Sequence, residues 1–192
     1  MSRAALILVD LQNDFLEGGV LGAPNSNSII STVNRYVTLF GDEKLPVVAT
    51  RDWHPPDHIS FTSRGGIWPP HCVRGTKGAE FSPLLRIPPN TIIISKATEP
   101  DVEAYSGFQG TDLRSRLESL LVKDVYVCGI ATEYCVKSTV LDALSLGYNT
   151  VLLLDAIAPI DDTQGKTAVE EMKRKGCRTS YYDDVSHLMS RA

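Results

Sequence analysis

No stretch of this chain is apolar for long enough to cross a membrane. The longest runs, such as Val151 to Leu154, fall far short of the roughly 20 residues that a spanning helix needs. It also lacks basic blocks and any interleaving of aromatic with basic residues, and its formal net charge is −4, so neither nucleic acid nor a membrane surface is an expected partner. No cleavage-site pattern follows the short apolar start at Ala4 to Val9, so a signal peptide is not expected, and Ser190-Arg191-Ala192 only faintly matches a peroxisomal address. Cysteine is sparse, with one each at Cys72, Cys128, Cys135 and Cys177. Without signs of secretion these are expected as reduced thiols in a cytoplasmic setting, not as a disulfide framework. Repeats, low-complexity tracts and linkers are missing too, and 192 residues suit a single domain over 1–192. Histidine is scarce but unevenly placed, since three of four (His54, His58, His71) share one loop.

What is present is an alternation of apolar, β-branched runs with helical periodicity. Strands are expected at Ala4 to Leu11, Leu45 to Thr50, Thr91 to Ser95, the segment around Val125 to Val127, Thr150 to Leu154, and Thr179 to Tyr182. Between them, Ile29, Ile30, Val33, Val37 and Phe40 share one helical face, as do Leu113, Leu117, Leu120 and Leu121. Val136, Val140, Ala143 and Leu144 form a third such face and Ala168, Val169 and Met172 a fourth, with stops at Gly147 and Gly176. Strands that are near-continuous apolar runs imply burial on both faces. The expected class is therefore α/β, a doubly wound, mostly parallel six-stranded sheet with helices on both sides. The exception to regularity is Arg51 to Pro89, too long for an ordinary connection and rich in Pro, Gly, His and Trp, which marks a functional loop.

In such a sheet ligands bind beyond the carboxyl ends of the strands. Asp10 closes the first strand, Asp52 follows the second, Lys96 the third, and Cys135 lies just past the fourth. With Thr132 as N-cap, Cys135 falls in the first turn of a helix, where free N–H groups and the macrodipole favour a thiolate. Asp10 could take the thiol proton and Lys96 could hold Asp10 ionised. Each has a plainer alternative: a packing cysteine, a turn-capping aspartate, a solvated lysine. Asp52 with His54, and with His58 and His71 further along the same loop, offers one carboxylate and imidazoles suited to Zn²⁺, Fe²⁺ or Mn²⁺, with His54, His58 or both as ligands and open coordination positions left over. Spacing does not decide among the histidines. Phe15, Trp53 and Trp68 suit either a core or an aromatic wall for a flat ring.

Asp10-Leu11-Gln12-Asn13-Asp14-Phe15, Asp52-Trp53-His54-Pro55, Trp68-Pro69-Pro70-His71-Cys72-Val73, Lys96 and Gly129-Ile130-Ala131-Thr132-Glu133-Tyr134-Cys135-Val136 together resemble the nicotinamidases of the isochorismatase-like cysteine hydrolases, over nearly the whole chain. The resemblance implies Asp10, Lys96 and Cys135 as catalytic triad. It implies Asp52, His54 and His71 as ligands of a divalent metal (zinc first, iron or manganese next), with His58 open because relatives differ there. It further implies a cis peptide at Ile130–Ala131, an oxyanion hole from the Ala131 and Cys135 N–H groups, and a substrate pocket involving Phe15, Trp68, Tyr105, Phe108, Ile130 and Ala131. The expected activity is deamidation of nicotinamide, and of pyrazinamide, through a thioester on Cys135, with the metal holding the ring nitrogen. Vinyl ether hydrolysis, amidases of carbamoyl or ureido groups, and a non-catalytic binding module are the competing expectations; the oligomeric state stays open.

Overall fold

The computed structural model describes residues 3–190; Arg191 and Ala192, two of the three residues of the C-terminal tripeptide, lie outside them. Six strands, β1 (Arg3–Val9), β2 (Val47–Asp52), β3 (Ile92–Lys96), β4 (Val122–Ile130), β5 (Asn149–Ala158) and β6 (Arg178–Ser180), form one sheet in the order β3-β2-β1-β4-β5-β6. Every pairing is parallel. The chain starts in the middle, winds outward to β3, returns beside β1 as β4, and winds outward the other way. The order therefore reverses between β1 and β4, the place where an open α/β sheet leaves a crevice at its carboxyl edge.

Alternation along the strands explains the two layers. Leu6 and Leu8 of β1 and Tyr126 and Cys128 of β4 point into the layer of helices α1 (Ile29–Asp42) and α5 (Tyr182–Met189), meeting Val33, Val37, Phe40 and Val185. Ala5, Ile7, Val9, Val125 and Val127 point the other way. There they meet Leu117 of α2 (Leu113–Ser119), Val140 of α3 (Lys137–Ser145) and Met172 of α4 (Asp162–Arg174). Phe40 is fully buried with its ring 5.3 Å from that of Tyr126, so Phe40→Ala should cost about 3–5 kcal/mol. Gly129 is required where β4 passes β1: its φ is +124°, and a Cβ there would stand 2.1 Å from the Val9 carbonyl oxygen.

Several boundaries differ from expectation. Leu121 is no inward helical residue: it sits at φ 58° in the stop before β4, and is exposed. β5 runs past Leu154 to Ala158 after a register irregularity against β4. Asp155 therefore lies within a strand and not at the rim, accepting hydrogen bonds from the Tyr36 hydroxyl (2.9 Å) and the Tyr182 N–H (2.9 Å). α4 begins three residues before Gly165, at Asp162, because the Asp161 side chain caps the Gln164 N–H at 2.8 Å, so the helix extends ahead of its apolar face at Ala168, Val169 and Met172. α5, missed by periodicity, packs Val185 and Met189 on the α1 layer. The long loop after β2 is irregular yet hydrogen-bonded: the His54 N–H donates to the Cys72 carbonyl (3.0 Å) and the Arg74 N–H to that of His54 (2.9 Å). Among the described residues no helix is long and apolar enough to cross a membrane.

Candidate active site

Lys96, the last residue of β3, is only 1% exposed, so it is no solvated edge lysine. Its ammonium stands 3.0 Å from Asp10 Oδ2, 3.4 Å from Cys135 Sγ and 3.2 Å from the Ala104 carbonyl, and donates a short hydrogen bond to Asp52. A buried ammonium is tolerated only when its charge is matched and its N–H groups are used: Asp10 and Asp52 match the charge, and Asp52, the Ala104 carbonyl and Cys135 take the N–H groups. Burial pulls against its charged form, but Asp10 and Asp52 win and hold the Lys96 pKa well above the ordinary lysine value.

Asp10 follows β1 at φ 49°, a left-handed conformation that Asp tolerates. Its Oδ1 accepts the Thr50 hydroxyl at 2.6 Å, leaving Oδ2 to the lysine. Burial pushes the Asp10 carboxyl above the usual range; Lys96 opposes this and Asp52 adds to it. Asp52 is shifted the other way. Burial again raises it, but Lys96 and His54 overcome that and carry its carboxyl well below the usual range.

The nucleophile turn departs from expectation in one respect. Ala131, not Thr132, occupies the N-cap position, no side chain caps the turn, and Thr132–Val136 is a single wide π-helical turn leading into α3. The Ala131 carbonyl accepts from the Val136 N–H at 3.2 Å, five residues on. The peptide Ile130–Ala131 is cis, as expected. Burial dominates the Cys135 thiol and pushes its pKa well up; Lys96 lowers it without prevailing, and Asp10 adds to the rise. The resting group is thus a thiol in need of a base, and Asp10 is within the same cradle.

Beside this trio, the donor atoms of Asp52, His54 and His71 all lie within 4.8 Å of one another. His54 Nε2 is 3.4 Å and His71 Nε2 4.0 Å from Asp52 Oδ2. Both imidazoles direct Nδ1 to a backbone carbonyl, His54 to Ala97 (3.3 Å) and His71 to Pro69 (2.8 Å). This leaves Nε2 as the lone-pair nitrogen on the inner side, the arrangement by which carbonyls orient metal-bound histidine. His54 Nε2 is buried without a hydrogen-bond partner, a costly state that a cation relieves. The residues fit a divalent metal.

His58 stands apart from this set. Its ring lies tilted against that of His54 with centroids 4.1 Å apart, but its own nitrogens go to the Ser60 hydroxyl (2.7 Å) and the Val102 carbonyl (3.0 Å). Three sharp local conformations flank the site: besides Asp10, Cys72 (φ 44°) follows His71 and Ala97 (φ 50°) follows Lys96. The Cys72 N–H is held by the Asp14 carboxylate at 2.7 Å, and burial pushes its thiol well up. No cysteine is disulfide-bonded.

A cleft lined by Phe15, Leu21, Trp68, Tyr105, Tyr134 and Ile160 opens onto Asp52, His71, Ala131 and Cys135. The Trp68 indole N–H donates to the Tyr105 hydroxyl at 3.0 Å, and the Trp68 and Tyr134 rings meet edge to face at 5.3 Å. Two expected members, Ile130 and Phe108, are placed elsewhere, and Trp53, open between core and wall, is on the core side. Ile130 is wholly buried in the α1-side core, Phe108 stacks on Tyr148, and Trp53 lies under the Arg51 guanidinium, 3.7 Å from the ring centroid. Leu21, Tyr134 and Ile160 are lining residues without a sequence signal of their own, apart from the place of Tyr134 beside Cys135.

The isochorismatase domain profile matches residues 4–182. The chain belongs to the isochorismatase family. Among its relatives is the nicotinamidase/pyrazinamidase of Mycobacterium tuberculosis, 40% identical over 88% of this chain and 94% of that one. The Pyrococcus horikoshii pyrazinamidase, solved in complex with zinc, superposes with a TM-score of 0.92 at 52% identity, covering 94% of this chain and 99% of the other. A protein from L. infantum in complex with nicotinate gives 0.88 at 33% identity, over 94% and 93%.

Proposed function

We propose that this protein is a metal-dependent cysteine amidohydrolase converting nicotinamide to nicotinate and ammonia, and accepting pyrazinamide, as a single catalytic domain over 1–192. The observation that carries the reading is the Lys96 ammonium, which touches Asp10, Cys135 and Asp52 at once and so joins a nucleophile and its base to a metal-binding trio. In the reaction, the Asp10 carboxylate takes the Cys135 thiol proton and the thiolate attacks the carboxamide carbon. The oxyanion is received by the Ala131 and Cys135 N–H groups. Asp10 returns the proton to the amide nitrogen, the C–N bond breaks and ammonia leaves a thioester. Asp10 then deprotonates water, which attacks that carbonyl; the C–S bond breaks and the thiol is restored.

Asp52, His54 and His71 would hold the divalent ion, for which zinc is the proposed identity, as in the P. horikoshii neighbour. Such an ion supplies an electrophile for a ring nitrogen in a water-poor cleft. The aromatic lining from Phe15, Trp68, Tyr105 and Tyr134 suits a flat heteroaromatic ring better than the linear carbamoyl or ureido compounds of other amidases. The test is ammonia release from nicotinamide, pyrazinamide and a linear amide, with metal content determined on the same sample. Preference for the two heteroaromatic amides is expected; turnover of the linear amide alone would refute the assignment.

A further inference from the structure

Beyond Asp52, Gln12 is fully buried beside the site and takes no part in the proposed chemistry. β1 ends at Val9 and the chain turns at Asp10, whereas β2 continues to Asp52. On one side Asp52 is paired with Lys96 of β3. On the other, β1 has already left, so the Asp52 backbone would face that side with its peptide groups unmatched, a costly state inside a protein. The Gln12 side chain fills the missing strand's place. Its Oε1 accepts the Asp52 N–H at 2.8 Å and its Nε2 donates to the Asp52 carbonyl at 2.8 Å, as a neighbouring peptide would. The second Nε2 hydrogen goes to the Ala79 carbonyl at 2.9 Å, and the Gln12 N–H donates to the Asp10 carbonyl at 2.8 Å.

We propose that Gln12 is a positioning residue: its amide extends the sheet by one side chain and fixes the backbone of Asp52, so that one carboxylate meets both Lys96 and the metal held with His54 and His71. Every polar atom of that amide is used, and two of its three hydrogen bonds end on the residue whose side chain is shared. The inference rests on the metal-binding reading of Asp52 but not on the identity of the substrate.

The test is Co²⁺ binding to the metal-stripped full-length protein, read without substrate by chelator competition and by the cobalt visible absorption bands. kcat and KM for nicotinamide are measured on the Zn²⁺-loaded protein. Gln12→Met keeps the volume and deletes all three hydrogen bonds. It is expected to weaken Co²⁺ binding about 10–100-fold, the usual effect of removing an outer partner of a ligand, and to shift the bands. Gln12→Glu keeps an acceptor for the Asp52 N–H but loses both donations, and provides the same readout should the Met variant not fold. Phe40→Ala, in the packing of α1 against Tyr126 and outside the Gln12 hydrogen bonds, is the control for lost stability alone and should leave affinity and spectrum unchanged. Co²⁺ affinity and bands unchanged in the folded Gln12 variants, equal weakening in Phe40→Ala, or no Co²⁺ binding by the parent would each overturn the proposal. A parent that binds Co²⁺ yet releases no ammonia from nicotinamide, with the Gln12 variants weakened, would refute the amidase reading and support the clamp.

Discussion

The carboxyl ends of β1 and β2 each present an aspartate to the same buried ammonium, and the two are driven in opposite directions. Asp10 has Lys96 and the Thr50 hydroxyl against a full burial penalty, with the Asp52 charge adding to it, and its pKa rises. Asp52 has Lys96 and His54 together, and its pKa falls. Residue type is the same; the neighbours differ, Lys96 with a hydroxyl at Asp10 and Lys96 with an imidazole at Asp52. A carboxylate raised toward the working pH suits proton transfer, whereas one held ionised suits a permanent ligand. The neighbouring strands thus supply a base and a ligand from one amino acid, separated by the donors each meets.

The largest expected effect removes the group that Asp10 deprotonates. Cys135→Ala should lower turnover on the order of 10⁴-fold or more, with nicotinamide binding and bound metal retained, as checked by ammonia release, calorimetry and metal analysis. Substantial activity in that variant would end the cysteine mechanism.

The two carboxylates can then be separated directly. Asp10→Asn should cut kcat by about 10²–10⁴-fold while keeping the metal, and Asp52→Asn should lose the metal. Similar metal loss in both would erase the distinction drawn here.

Removal of the metal by a chelator probes the Asp52 side of the comparison through substrate choice. Benzamide carries a C–H where nicotinamide has its ring nitrogen, so the loaded enzyme should prefer nicotinamide on the order of 10²-fold in kcat/KM. The stripped enzyme should lose much of that preference. Equal turnover of the two by the loaded enzyme would remove the metal from ring recognition.

The smallest expected effect is in pH dependence. Because the Asp10 pKa is raised, its basic form is lost at a higher pH than for a free aspartate. The acid limb of kcat/KM should therefore lie above the ordinary value of about 4, although coupled groups make it a property of the cluster. Asp52 is held ionised to lower pH than Asp10, so activity should fall before Asp52 protonates. A limb at or below pH 4 would contradict the shift.

Much of the architecture was legible because it is local. The apolar runs at Ala4 to Val9 and Val125 to Val127 and the 3.6-residue spacing of Ile30, Val33, Val37 and Phe40 need no distant partner to be recognised. Chemistry at strand ends follows from the same pattern, which is why Asp10, Asp52, Lys96 and Cys135 stood out in advance. Where the expectations missed, a distant contact had decided. β5 outran its apolar stretch because Gly129 and Ile130 of β4 pair with Ile157 and Ala158, and α5 is held by packing on α1, not by a strong pattern of its own.

Residue pattern alone carries the α/β alternation, the family motifs and the residue types able to form a thiol nucleophile, a base and a metal set. Long-range folding brings His54 and His71, not His58, to face Asp52, since His58 directs both nitrogens to Ser60 and Val102, and it raises the thiol rather than lowering it. It likewise decided that Lys96 is sealed among residues from other strands and that Gln12 stands in for a missing strand beside Asp52. The reason is physical: periodicity reports which face of an element is buried, but hydrogen-bond partners and local charge depend on residues such as Asp10, Thr50, Lys96 and Cys135, which the sheet order brings together from distant parts of the chain.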